Sequence, residues 1–154
     1  MSRYVELHPV NPQARLITRI VDTLRAGEGV PNNAFRLVKR LTPGPWTFIL
    51  RGTREVPRMT LNPVKHTLGV RIPDHAITQA IVAGFGAPIL SSTLILPGNE
   101  EPETSGWDVQ DGLGHLLDVV IEGPVGSSEP TTVLDLTSDV PEVLREGAGD
   151  TSLV

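Results

Sequence analysis

Apolar positions repeat at helical spacing from Leu16 to Leu24, where Leu16, Ile17, Ile20, Val21 and Leu24 fall on one stripe. Asn11 is placed to cap this first helix, Pro12 takes the first helical position, and Gly27 stops it. Glu28-Gly29-Val30 should lead into a strand, but Pro31-Asn32-Asn33 follows at once. Asn33 is placed to cap a second helix whose apolar face is Ala34, Leu37, Val38 and Leu41, and Thr42-Pro43-Gly44-Pro45 ends it. Trp46 to Leu50 and Thr67 to Ile72 are short β-like runs joined by a polar connection with Pro57 and Pro63. Asp74 is placed to cap a third helix, with Ile77, Ala80, Ile81 and Phe85 on one face and Gly86 at its end. Pro88 to Leu96 reads as a buried strand, and Asp108 to Leu117 as a weak helix weakened further by Gly112 and Gly114. Leu117 to Ile121, Thr131 to Leu136 and Glu142 to Arg145 read as three more strands, and residues 147–154 as a loose tail.

Helices alternate with strands early and strands dominate late, which predicts an α/β sheet covered by helices, with antiparallel pairs near the C-terminus. The chain has 154 residues, the size of one domain, and no internal repeat. Hydrophobic residues make up 39% and aromatics only 4%, so the core must be built mainly from Val, Ile and Leu. The absence of cysteine excludes disulfides, thiolate metal sites and a cysteine nucleophile. No apolar run reaches membrane-spanning length, and Met1-Ser2-Arg3-Tyr4 carries no apolar signal region, so the cytoplasm is the expected location, with no membrane partner.

The net charge of −5 conceals an asymmetry. Between Arg36 and Arg71 lie eight basic residues and one acid, Glu55; from Ile72 onward there is one basic residue, Arg145, and fourteen acids. The basic stretch offers contacts to phosphate, nucleotide or RNA, or else forms a solvated face balanced by the acidic remainder. His8, His66, His75 and His115 have no metal-ligand spacing, and no structural metal or catalytic residue is assigned. His75 follows a Pro-Asp turn at a helix start, which points to a capping or structural role.

Six strings in order carry a family resemblance: His8-Pro9-Val10-Asn11-Pro12-Gln13; Thr42-Pro43-Gly44-Pro45 with the strand after it; Gly69-Val70-Arg71-Ile72-Pro73-Asp74-His75; Leu90-Ser91-Ser92-Thr93-Leu94-Ile95-Leu96-Pro97-Gly98; Pro130-Thr131-Thr132-Val133-Leu134-Asp135-Leu136; and Val143-Leu144-Arg145-Glu146-Gly147. The chain resembles the YrdC-like threonylcarbamoyl-adenylate synthase family, and within it the YciO branch. The resemblance implies a twisted, mostly open mixed sheet with helices packed on it, as a single domain over residues 1–154. It also implies a gap. Family members continue after the first helix with a strand, a Pro-Thr-Asp/Glu-x-x-Tyr/Phe-Gly loop, a helix and a basic strand. This chain passes from Val30 directly to a Pro31 that matches a point beyond that strand-helix-strand segment.

The implied reaction joins L-threonine, bicarbonate and ATP, with Mg2+, into threonylcarbamoyl-adenylate and pyrophosphate, for tRNA modification. By the resemblance, Arg71 holds the threonine carboxylate, Thr93 and Thr131 contact threonine, Thr67 contacts the nucleotide, and Arg145 faces the ATP phosphates. Ile95 replaces the asparagine of the family's Ser-x-Asn motif. Each residue also has a plainer reading: Arg71 as a sheet-rim arginine paired with an acid, Thr67 and Thr131 as ordinary strand hydroxyls, and Arg145 as a charge balancer between Glu142 and Glu146. Because the missing segment would carry cations, the expectation is weak or absent synthase activity. The alternatives are a non-catalytic double-stranded RNA-binding module and a degenerate fragment with exposed sheet edges.

Overall fold

The computed structural model describes residues 32–52, 61–89, 91–125 and 128–154. The helix expected from Asn11 to Gly27, the Val30–Pro31 junction and Pro57 of the polar connection lie outside the described residues. The described chain divides into two compact units, one holding 32–74 with Glu129–Val154, the other His75–Ser128.

In the first unit, helix α1 (Asn32–Leu41) buries Ala34, Leu37, Val38 and Leu41, the stripe read from the sequence. The helix begins at Asn32, so Asn33 sits inside its first turn, and its side-chain amide donates to the Asp139 carbonyl rather than capping. Lys39 and Arg40 fill the last turn, where cations meet the negative end of the helix dipole. Strand β1 (Trp46–Arg51) follows, then β2 (Thr67–Arg71), β3 (Thr132–Asp135) and β4 (Glu142–Arg145). The strands form one sheet in the order β2-β1-β3-β4, with β1 and β3 parallel and the two outer pairs antiparallel. The fold is therefore α/β with a mixed sheet, as expected.

Alternation along β1 separates the two faces of this sheet. Trp46, Phe48 and Leu50 are buried and join Leu134 and Leu136 under α1, with Leu68 and Val70 packed against them. Thr47, Ile49 and Arg51 point to the other side, which we call the polar face. Register puts Arg71, Gly69 and Thr67 beside them on β2, and Val133 and Asp135 beside them on β3.

The residues from Gly147, expected as a loose tail, are tied down instead. Thr132 is fully buried, and its hydroxyl donates to Gly149 O at 2.8 Å while accepting from Gly147 N at 3.0 Å and Gly149 N at 2.9 Å. A Cβ on Gly147 would lie 2.2 Å from Pro130 O, so only glycine permits this approach. A short 3-10 turn, Thr151–Leu153, closes the chain.

The second unit contains helices α2 (Ala76–Phe85) and α3 (Gly106–Leu113), the latter running into a 3-10 turn at Gly114–Leu116. The cap of α2 is His75 rather than Asp74: its ring accepts from Thr78 N, and Nε2 lies 2.8 Å from Pro124 O. Gly86 ends the helix with φ 73°, as a left-handed cap should. Of the expected face Ile81 is buried but Phe85 is 67% exposed, and Gln79 and Val82 are the other buried residues of the helix. Two expected strands are missing. Residues 91–96 are irregular and mostly exposed, and Leu117 to Ile121 forms no strand. Both stretches are apolar enough to be strands, but among the described residues neither has a neighbouring strand with which to pair.

Candidate functional site

The polar face gathers four of the five residues singled out in the sequence. Thr47 pairs with Arg71 on one side and with Val133 on the other, and Val133 pairs with Arg145. Arg71, Thr47, Val133 and Arg145 thus form one row across all four strands. Three strand spacings of about 4.8 Å separate the backbones of the two arginines, on the order of 14 Å.

A β-bulge puts Arg145 in this row. Leu134 pairs with Val143 and Asp135 with Glu142, but the register shifts between Val133 and Leu134 so that Val133 meets Arg145. Strict alternation from Val143 would turn Arg145 toward the core face; the extra residue moves it to the polar face. Its guanidinium then forks onto Thr131 O, with Nε at 3.2 Å and Nη2 at 2.8 Å. Nη2 also reaches Thr131 Oγ1 at 3.4 Å, and that hydroxyl lies 2.7 Å from Thr47 Oγ1. Arg145 is therefore engaged with Thr131 and not with Glu142 or Glu146. Thr131 is itself buried, its hydroxyl held between Thr47 and Arg145.

Arg71 differs. It is exposed at the end of β2, and its guanidinium forms no hydrogen bond or ion pair among the described residues. Gly69 next to it leaves the face bare: a Cβ there would lie 3.4 Å from Thr47 Cγ2. Thr67 is half-buried, four residues along β2 and about 13 Å from Arg71. It lines a depression of about 460 Å³ and not the row between the arginines. Thr93 belongs to the other unit, in the exposed irregular segment, where its carbonyl accepts from the Ser92 hydroxyl at 3.3 Å. Thr47 was not singled out, although its alternation between Trp46 and Phe48 marks it as the one β1 hydroxyl on the polar face. Asp135, read as structural, accepts from Thr137 N at 2.8 Å and closes the end of β3. Among the described residues no group of His, Asp and Glu is placed to hold a metal ion, and no helix is long and apolar enough to cross a membrane.

Comparison with known proteins gives a consistent result. The Sua5/YciO/YrdC family model, described as Telomere recombination, matches residues 9–147. Uncharacterized protein YciO of Escherichia coli (strain K12) is 36% identical over 201 residues, covering 97% of this chain and 98% of YciO. The alignment is longer than the 154 residues of this chain, so YciO carries residues that have no counterpart here. The crystal structure of E. coli YciO superposes with a TM-score of 0.72 at 35% identity, over 99% of both chains. Threonylcarbamoyl-AMP synthase of Bacillus subtilis (strain 168) is 33% identical over 119 residues, covering 76% of this chain but only 34% of that enzyme. P. abyssi Sua5, in a crystal structure complexed with L-threonine, has a TM-score of 0.67 at 29% identity, over 79% of this chain and 35% of Sua5. A sheet with this register, a family match across most of its length and a relative aligned end to end lead to one conclusion: the chain belongs to the Sua5/YciO/YrdC family, on its YciO branch.

Proposed function

We propose that the polar face of the sheet binds L-threonine beside a nucleotide, and that the chain carries out threonylcarbamoyl-adenylate synthesis weakly, in the cytoplasm. The row Arg71–Thr47–Val133–Arg145 is the observation that carries this reading. Arg71 brings a guanidinium with no partner among the described residues, whose fork matches the two oxygens of an α-carboxylate. Arg145 is held in place by Thr131 and, among the described residues, keeps Nη1 for a phosphate oxygen. The bare surface at Gly69 leaves room beside Arg71. In the reaction, the threonine amine bonds to the bicarbonate carbon with loss of water. A carbamate oxygen then attacks the α-phosphorus of ATP, the bond to the bridging oxygen breaks, and pyrophosphate leaves. Mg2+ enters with ATP as part of the substrate and offsets phosphate charge.

Weak activity follows from the shorter chain. We place the additional residues of YciO at the Val30–Pro31 junction, where the family resemblance puts a cation-bearing segment. Each lost group that stabilises charge in the transition state costs about 10²–10³ in rate. Calorimetric titration with L-threonine, on the unaltered chain and on Arg71→Ala, tests the binding half. The unaltered chain should bind and Arg71→Ala should bind at least about tenfold more weakly. Equal binding overturns the assignment. Threonine-dependent pyrophosphate release as fast as that of a full-length synthase overturns the claim of weakness.

A second reading is supported by Arg36, Lys39 and Arg40, all exposed on α1. Cations at this spacing suit the phosphates of double-stranded RNA, and such binding falls steeply with salt. RNA affinity that is absent, or flat across salt, removes this reading.

A further inference from the structure

Helix α3 is eight residues long and buries none of them. Helices this short gain their stability from packing one face rather than from propensity. The ten-residue α1 does so with four buried residues, whereas α3 has the Ser105 cap on Asp108 N and the half-buried side of Val109 and Leu113. Its outer side carries Trp107, Asp108 and Asp111, neighbours at spacings of three and four and all exposed, Trp107 by 68%. Gly112 continues that side. A Cβ there would meet nothing within 4 Å among the described residues, so the glycine leaves a bare spot where a second helix can come close. A Cβ on Gly106 would lie 2.5 Å from Glu122 Oε2, so a third carboxylate stands over the first turn. The helix dipole accounts for acids at that end, but neither for Asp111 in the last turns nor for the exposed indole. From His75 to Ser128 the sequence holds seven acids and no Lys or Arg. What fits this face is therefore a helix that brings cations.

We propose that the outer face of α3 docks α1 of a second copy of this chain. The complement is carried by the chain itself. Arg36, Lys39 and Arg40 stand at spacings of three and four on one exposed stripe of α1, and Arg40 is steadied by donating to the Leu153 carbonyl. Three cations thus meet three carboxylates. A guanidinium stacks on an indole while its N–H groups still reach carboxylates at the edge, which makes Trp107 the apolar centre of the contact and the charges its rim. A two-fold arrangement makes the contact twice and closes the assembly at two copies. The docking needs neither threonine nor a nucleotide, so it stands or falls independently of the proposed reaction. It uses the same cations as the RNA reading, and the two exclude each other on any one α1.

The test is sedimentation equilibrium of the full chain, before and after nuclease treatment, from about 1 to about 100 µM. A reversible dimer is expected at about 0.1 M salt. It should weaken several-fold at about 1 M, where the screening length falls from about 10 Å to about 3 Å. Trp107→Ala should weaken association at least about tenfold, as the loss of a central aromatic anchor does. Asp111→Lys and Arg36→Glu should each weaken it by a similar factor, because each sets like charges against one another in every contact. Mixed in equal amounts, these two variants should associate more tightly than either does alone, since the new lysine of one then faces the new glutamate of the other. All three positions are exposed, so urea midpoints of the variants should match that of the unaltered chain, and restored association in the mixture requires both variants to be folded. The proposal is overturned if the chain sediments as a monomer throughout, if Trp107→Ala associates as tightly as the unaltered chain, or if the mixture is no tighter than its components. Association that disappears after nuclease treatment also overturns it, and assigns α1 to RNA.

Discussion

The two compact units bury their apolar residues very unequally. Among the described residues, ten of the twelve buried hydrophobics belong to the sheet unit, and only Ile81 and Val82 to residues 75–128. The second unit leaves Phe85, Ile95, Trp107, Leu116 and Val125 about half exposed or more. Both units are rich in apolar residues, so composition does not explain the contrast. Pairing does. Each strand of the sheet unit has a neighbour in register, and along β1 and β3 alternation then sends every second side chain into one core. The apolar stretches of the second unit have no such neighbour among the described residues, so their side chains have no common face to fill. An apolar run is a requirement for burial; a partner is what realises it.

The strongest test of this contrast compares two phenylalanines. Phe48 is fully buried among Trp46, Leu50 and Leu134, and Phe48→Ala should lower the unfolding free energy by about 3–5 kcal/mol. Phe85→Ala, at a 67% exposed position, should change it by no more than about 0.5 kcal/mol. Urea titration of both variants measures the difference, and comparable losses would mean that the second unit has a core after all. Next in size is Thr132→Val. It keeps the shape and removes a buried hydroxyl that makes three hydrogen bonds, leaving the Gly147 and Gly149 N–H groups without that acceptor. A loss of about 1–3 kcal/mol is expected from the same titration. A neutral result would mean that the glycine turn is not anchored through Thr132.

What could be read from the sequence follows the same division. The stripe Ala34, Leu37, Val38, Leu41 is a local pattern, and the helix buries those four residues. Glu142 to Arg145 was legible as a strand, but the bulge opposite Val133 was not, because it depends on the partner's register. Hence the face on which Arg145 lies is a tertiary fact, although the residue itself stood out as the lone base of the acidic half. Arg71 was easier, since its face follows from simple alternation beside Val70 and Ile72. The anchoring of Gly147 and Gly149 was hidden because it rests on Thr132, fifteen or more residues away. Pro88 to Leu96 failed as a strand for the opposite reason: its own pattern was adequate, and no partner strand lies beside it among the described residues. Asp74 is the better cap by residue type, yet His75 caps because its other ring nitrogen also reaches the Pro124 carbonyl.

That double contact gives the next prediction, smaller than the core losses. His75→Ala removes the cap of α2 and the link to Pro124, and should cost about 1 kcal/mol. The effect should be confined to residues 75–128, seen as faster amide exchange there with β1 and β3 unchanged. Faster exchange throughout the sheet would mean that the two units unfold as one.

The smallest effect expected is at Asp150, at the end of the sheet unit. Its Oδ1 accepts from Ser152 N at 3.0 Å and caps the final 3-10 turn. Hydrogen bonds from the Ser152 side chain, and then from its backbone N–H, hold the carboxyl below its ordinary value of 3.8. A folded-state value below the unfolded one means that the contribution is fully present above the unfolded value, and is lost as pH falls through the lower folded value. The carboxyl is fully exposed, so solvent screens this effect strongly. A carboxyl NMR titration should therefore give Asp150 a midpoint below 3.8, and Ser152→Ala should move it back up. The carboxyl is fully exposed, so the shift should occur without any change in the urea midpoint at neutral pH. A midpoint at or above the ordinary value would show that the turn after Gly149 is not closed by Asp150, leaving the C-terminal segment to the bonds through Thr132, Pro130 and Arg40.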